Sequence, residues 1–99
     1  MPKDKKRGKN PLKCTAEVKV KNRLGLHIRP ATAIVRMLQG CRSSVFFSFK
    51  GMTANAKSIM SLLVLSAQKN AKISILVEGE DAEAVLHKLI DGFENMFGE

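Results

Sequence analysis

Cys14-Thr15-Ala16-Glu17-Val18-Lys19-Val20 alternates apolar with polar residues one for one, and a few positions later the period changes. Alternation by two puts Cys14, Ala16, Val18 and Val20 on one face, which predicts a strand with one buried side. Residues 22–26 then form a loop that bends at Gly25. Beyond it, Ala31, Ile34, Val35 and Leu38 recur at the i, i+3, i+4, i+7 spacing of an amphipathic helix, which Gly40 closes. A strand whose apolar face is followed at once by a helix with an apolar stripe implies that the two pack together.

The same two periods recur along the chain. Val45, Phe47 and Phe49 alternate with Ser44, Phe46 and Ser48, and Lys50-Gly51 turns the chain into a weaker extended segment over residues 52–54. A hairpin is expected there. Ser58 opens an apolar run through Leu65 whose period is ambiguous; a short helix over residues 58–63 is the reading adopted. Ile73, Ile75 and Val77 alternate as a last strand. Asp81 follows as an N-cap, Glu83 suits the positive helix end, and Val85, Leu86, Leu89, Phe93 and Met96 mark the stripe of a final helix. The order βαββαβα, with strands polar on one face, predicts an α+β fold in which helices cover one side of an antiparallel sheet.

Composition narrows the function. A chain of 99 residues with 44% hydrophobic content suits one core. Of the formal net charge of +8, the first 13 residues carry +5, so the remainder is only mildly basic. Residues 1–11 have no apolar periodicity and read as a disordered tail, which sets a basic tail at 1–12 and a folded domain at 13–99. Tyr and Trp are absent and the phenylalanines form no stacking motif, which argues against nucleic acid as a partner. No stretch approaches the ~20 apolar residues of a membrane span and no apolar signal core follows the basic start, so a cytoplasmic protein without membrane insertion is expected. Cys14 and Cys41, 27 positions apart and outside any CxxC pair, read as reduced structural thiols; neither a metal nor a cofactor is indicated. With no phosphate-binding Gly-rich loop of the Walker type, an independent enzyme is not expected.

One segment carries chemistry. Pro30 belongs in a first helical turn, where its missing N–H costs little, so the helix must begin close to His27. Amides at such an end lack intrahelical acceptors and, with the helix dipole, favour an anion. Arg29 adds a fixed charge and several donors, and a neutral imidazole is a competent nucleophile near pH 7. Spacing alone leaves a blander option open, in which His27 caps the helix, Arg29 is solvated and Gly25 serves the turn.

Gly25-Leu26-His27-Ile28-Arg29-Pro30-Ala31-Thr32 closely resembles the active-site segment of the histidine-containing phosphocarrier (HPr) family of the bacterial sugar phosphotransferase system. Asn55-Ala56-Lys57-Ser58-Ile59-Met60 resembles that family's regulatory serine motif, and the similarity runs from about Lys13 to Glu99. The resemblance implies an open-faced β-sandwich, a four-stranded antiparallel sheet with three helices on one face, in a monomer. It also implies that His27 takes phosphate from enzyme I, itself charged by phosphoenolpyruvate, and donates it to sugar-specific enzyme II components, with Arg29 stabilising the transferring group. Family members carry that phosphate on the imidazole Nδ1. Ser58 would be the target of a serine kinase, and Ile59, Met60 and Leu63 an exposed apolar patch for partners; from the residues alone Ser58 is an N-cap and the three apolar residues are core. Ser61, Ser66 and Asn70 depart from small residues common in relatives, though Asn tolerates the left-handed backbone. Two alternatives stand beside this one: a regulatory protein-binding module of the same fold acting through the Ser58 surface, and a basic nucleic-acid-binding domain.

Overall fold

The alternating segments form one antiparallel sheet in the computed structural model, which describes residues 12–99. Its strands are β1 (Lys13–Lys19), β2 (Ser44–Phe49), β3 (Met52–Asn55) and β4 (Lys72–Glu78), in the spatial order β1-β4-β2-β3. Three helices, α1 (Ile28–Leu38), α2 (Ile59–Val64) and α3 (Ala82–Glu94), complete the order βαββαβα, and a 3-10 turn follows at Met96–Gly98. This is the α+β open-faced sandwich expected from the sequence.

Register shows how the alternation is used. Ala16, Ile75, Phe47 and Ala54 lie side by side across all four strands, next to the row Cys14, Val77 and Val45. These rows face the helices: α3 lies over β1 and β4, α2 over β3, and α1 packs against both helices. Phe47 on the sheet meets Phe93 on α3 with ring centroids 5.6 Å apart. Phe47, Phe93, Ile34, Leu38 and Leu62 are fully buried, and each such side chain contributes about 1.5–3 kcal/mol by leaving water. The adjoining rows, such as Thr15, Leu76, Phe46 and Asn55, form the open face of the sheet.

Several boundaries differ from the sequence reading. α2 runs from Ile59 to Val64, and Ser58 is the residue before it. α3 stops at Glu94, so Met96 does not extend the helical stripe; at φ 57° it reverses the backbone and is partly exposed. Asp81 stands at the α3 N-cap position but makes no side-chain bond to its own helix. Its carboxylate instead accepts from the Arg42 amide at 2.9 Å and the Ser43 hydroxyl at 2.5 Å, tying the loop before β2 to the start of α3. Those two bonds, that of Ser43 first, hold the Asp81 carboxyl below its ordinary range. Leu12, grouped with the tail by composition, joins the sheet end through a 2.8 Å bond from the Gly79 amide to its carbonyl. The rest of the tail lies outside the described residues. Among those residues no helix is long and apolar enough to cross a membrane, and neither Cys14 nor Cys41 is in a disulfide.

Candidate functional site

The loop between β1 and α1 is fixed at three points. The Gly25 amide donates to the Asn22 carbonyl at 3.0 Å, and the Leu26 amide donates to the Ala67 carbonyl at 2.9 Å. Gly25 sits at φ 72°, where a Cβ would run into that same Ala67 carbonyl, so only glycine lets the loop lie so close to the α2–β4 connection. Lys21 pairs with Glu94 at 2.8 Å, anchoring the loop to the end of α3. This clamped loop delivers His27 in an extended conformation as the residue preceding α1, its carbonyl accepting from the Ala31 amide at 3.0 Å.

The His27 side chain does not cap the helix, and the first turn holds no acidic residue. The amides of Ile28 and Arg29 therefore keep the unpaired donors of a helix start, while Pro30 has none to offer. Arg29, with its side chain 76% exposed, adds its guanidinium to this positive end.

A residue that the sequence reading missed completes the arrangement. His27 is only 25% exposed at its side chain, and its Nε2 lies 2.7 Å from Glu99 Oε2. Nε2 is buried there without a directed hydrogen bond, so the carboxylate oxygen lies in close contact with the ring nitrogen but off the line of an N–H···O bond. Arg29 Nε is 4.0 Å from the same oxygen. The other carboxylate oxygen accepts from Asn22 Nδ2 at 2.5 Å, and that amide also donates to the Met96 carbonyl at 2.8 Å. The Asn22 bond foremost, assisted by the charges of His27 and Arg29 and opposed by burial, holds the Glu99 carboxyl below its ordinary range.

Glu99 reaches this place because the 3-10 turn doubles back over α3. Met96 and Phe97 both take positive φ, 57° and 49°. Phe97 then seats its ring edge-on against Phe93 with centroids 4.9 Å apart. A Cβ on Gly92 would occupy the position of the Phe97 ring, so the missing side chain makes the seat. Ile28, Arg29, Thr32, Arg36, Phe97 and Glu99 line a shallow cleft between this turn and α1. Neither Glu99 nor Asn22 carries a local sequence signal, since the contact between them spans 77 positions.

The second motif lies at the start of α2. The Asn55 side chain accepts from the Lys57 amide at 2.9 Å and its carbonyl accepts from the Ser58 amide at 3.0 Å, a tight turn that sets Ser58 before the helix. Ser58 Oγ accepts from the Ser61 amide at 3.2 Å, so the N-cap reading of this serine holds. Of the three residues expected as an exposed patch, only Met60 points fully outward, at 71% exposure. Ile59 and Leu63 are half-buried against the core because they flank Leu62, which the short helix turns inward. Val64, one turn from Met60, and Leu24 and Ile28, on either side of His27, are exposed apolar residues that the sequence reading did not name. Among the described residues no cluster of His, Cys, Asp and Glu is placed to hold a metal ion.

Comparison with known proteins places these features in context. Residues 14–95 match the family model "PTS HPr component phosphorylation site". The phosphocarrier protein HPr of Chlamydia pneumoniae is 44% identical over 80 residues, covering 81% of this chain and 74% of that protein. The HPr of Xylella fastidiosa (strain Temecula1 / ATCC 700964) is 37% identical over 83 residues, covering 84% and 93%. Among solved structures, HPr-C-His from Thermoanaerobacter tengcongensis superposes with a TM-score of 0.83 at 31% identity, covering 87% of this chain and 97% of that one.

Proposed function

The chain belongs to the HPr family of phosphocarrier proteins of the phosphotransferase system, and from that premise we propose that His27 accepts a phosphoryl group from enzyme I and yields it to sugar-specific enzyme II components. The observation that carries this reading is the uncapped start of α1, where an imidazole, two unpaired amides and a guanidinium converge. Because Nε2 is turned into the protein against Glu99, Nδ1 is the nitrogen left to meet a donor.

The step is a displacement at phosphorus. The Nδ1 lone pair forms a new P–N bond as the bond from phosphorus to its donor atom on enzyme I breaks, and the departing pair of electrons stays on that donor atom. The His27 ring keeps its proton on Nε2, where the Glu99 carboxylate faces the charge that develops. Helix amides and the Arg29 guanidinium face the phosphoryl oxygens, which carry most of the negative charge during transfer. Onward transfer to enzyme II reverses these roles, and the protein acts as a phosphorylated intermediate with no turnover of its own.

Ser58 is the regulatory position in this proposal, phosphorylated by a serine kinase. Phosphate oxygens can still accept from the Ser61 amide and suit the positive end of α2, so the helix survives the modification. The added charge lies beside exposed Met60, with Ile59 and Leu63 at its edge, where an acidic partner surface would be repelled.

Incubation with phosphoenolpyruvate and active enzyme I is expected to place one acid-labile, alkali-stable phosphate on the chain. His27→Ala abolishes the label, and Arg29→Ala slows its appearance by about 10²-fold, the usual effect of removing a donor to transferring charge. An unlabelled wild-type chain, or equal labelling of His27→Ala, overturns the assignment.

A further inference from the structure

Asn22 is the most deeply buried polar side chain of the described residues, at 0% exposure, and it lies in a loop otherwise exposed at Lys21, Arg23 and Leu24. Both hydrogens of its amide are committed, one to the Met96 carbonyl at 2.8 Å and one to Glu99 Oε1 at 2.5 Å. These two acceptors fix which way the amide points, because the oxygen could not take either place. Its own Oδ1 is buried without a partner. Buried polar atoms are almost always paired, and one left unpaired detracts from stability. A residue serving the loop alone would be better replaced by an apolar one of similar size. What the asparagine provides is the grip on Glu99, whose other oxygen lies 2.7 Å from His27 Nε2.

We infer that Asn22 is a positioning residue for phosphoryl transfer: acting through Glu99, it holds a carboxylate at Nε2 of His27 and thereby presents Nδ1 to the donor. This rests on the reading of His27 as the acceptor. A carboxylate free to rotate would be drawn to exposed Arg29, whose Nε is already 4.0 Å from Oε2. It would then leave the imidazole with neither a fixed orientation nor a fixed proton. The Asn22 amide prevents that rotation by holding the oxygen on the far side of the carboxylate. The charged groups facing Glu99 are His27 and Arg29 at the entrance of α1, and Asn22 is the neutral donor that sets its angle. Removing the donor should also raise the titration of the Glu99 carboxyl toward its ordinary range, since this bond is the largest influence lowering it.

Four variants test the relay in the full chain: Asn22→Ala, Asn22→Asp, Glu99→Gln and the double change Asn22→Ala with Glu99→Gln. Carbon-13 detection follows the Glu99 carboxyl through an acid titration where that carboxyl is present. Phosphoryl acceptance is timed with enzyme I and phosphoenolpyruvate, and nitrogen–phosphorus coupling identifies the phosphorylated nitrogen. Asn22→Ala should raise the Glu99 titration and lower the maximal rate by about tenfold, a positioning effect smaller than the ~10²-fold of removing an acid or base outright, with the KM for enzyme I unchanged because Asn22 is buried. Glu99→Gln should show the same loss, and the double variant no further one. Asn22→Asp keeps the shape but replaces the donor with a group that repels Glu99, and it should lose the rate as Asn22→Ala does. Asn22 variants that lose thermal stability yet keep the Glu99 titration and the rate overturn the inference and leave Asn22 a loop residue. A wild-type chain that takes no label overturns the acceptor reading, and this inference with it. Labelling of the wild type with unaltered variant rates overturns this inference alone.

Discussion

The entrances of α1 and α2 are built from the same local physics and finished in opposite ways. At α2, Ser58 gives its oxygen to the Ser61 amide, and the Asn55 turn occupies the Lys57 and Ser58 amides. At α1, an extended His27 leaves the first amides without a side-chain acceptor, and its imidazole turns toward Glu99. A side-chain cap contributes about 1 kcal/mol to a helix, and α1 forgoes it. The difference separates a capped helix start from an uncapped one, which the proposed function uses for the phosphoryl group. It also shows why neither could be judged by its residue type alone.

The sharpest way to break this contrast is to make α1 resemble α2. His27→Ser places a capping hydroxyl at the entrance, where the Arg29 amide can donate to it although Pro30 cannot, and should abolish phosphoryl acceptance while leaving the chain up to about 1 kcal/mol more stable than His27→Ala. Urea denaturation of the two variants, together with labelling by enzyme I, measures both effects. Equal stabilities would mean that the α1 entrance is not in fact open to a cap.

Smaller effects follow at α2. Ser58→Ala should reduce stability by about 1 kcal/mol through loss of the bond to Ser61 and leave the intrinsic transfer rate unaltered. Ser58→Asp should keep the helix and weaken acceptance by about fivefold, through a higher KM for enzyme I produced by the new charge. If Ser58→Asp loses transfer only in proportion to unfolding, the serine is a cap and nothing more.

The smallest expected effect is the acid limb of stability, where the α3 entrance offers a third case. Asp81 and Glu99 titrate lower in the fold than their ordinary values of 3.8 and 4.5. Each bound proton therefore favours the unfolded chain. Their stabilisation is complete above those ordinary values and is lost as pH falls through the lowered ones. Asp81→Asn should flatten the acid limb of a stability profile while leaving phosphoryl acceptance at neutral pH intact. Thermal melts from pH 2 to pH 7 decide it: a limb as steep as that of the wild type would remove Asp81 as its source.

How much of this was legible in the sequence depended on whether a contact is local. β2, β4 and α1 could be read because Val45, Phe47, Ile73, Ile75, Ala31 and Ile34 each repeat with the period of their own element. α2 was harder: six residues hold fewer than two turns, and Ile59, Leu62 and Leu63 are apolar for reasons of core while Met60 and Val64 are apolar at the surface. His27 and Arg29 stood out because Pro30 dates the helix start. Asn22 and Glu99 did not, since their meeting depends on Met96 and Phe97 reversing the backbone and on the notch at Gly92, none of which has a periodic signature. Met96 itself misled, because its spacing continued a stripe that the backbone abandons two residues earlier.

The notch at Gly92 has a consequence for how the proposed site is held together. The β1–α1 loop sets His27 in place, but the carboxylate beside it comes from 72 positions further along and is held there by the turn whose Phe97 sits on α3. Completion of the proposed site therefore depends on a packing contact made at α3, between the Phe97 ring and the gap left by Gly92.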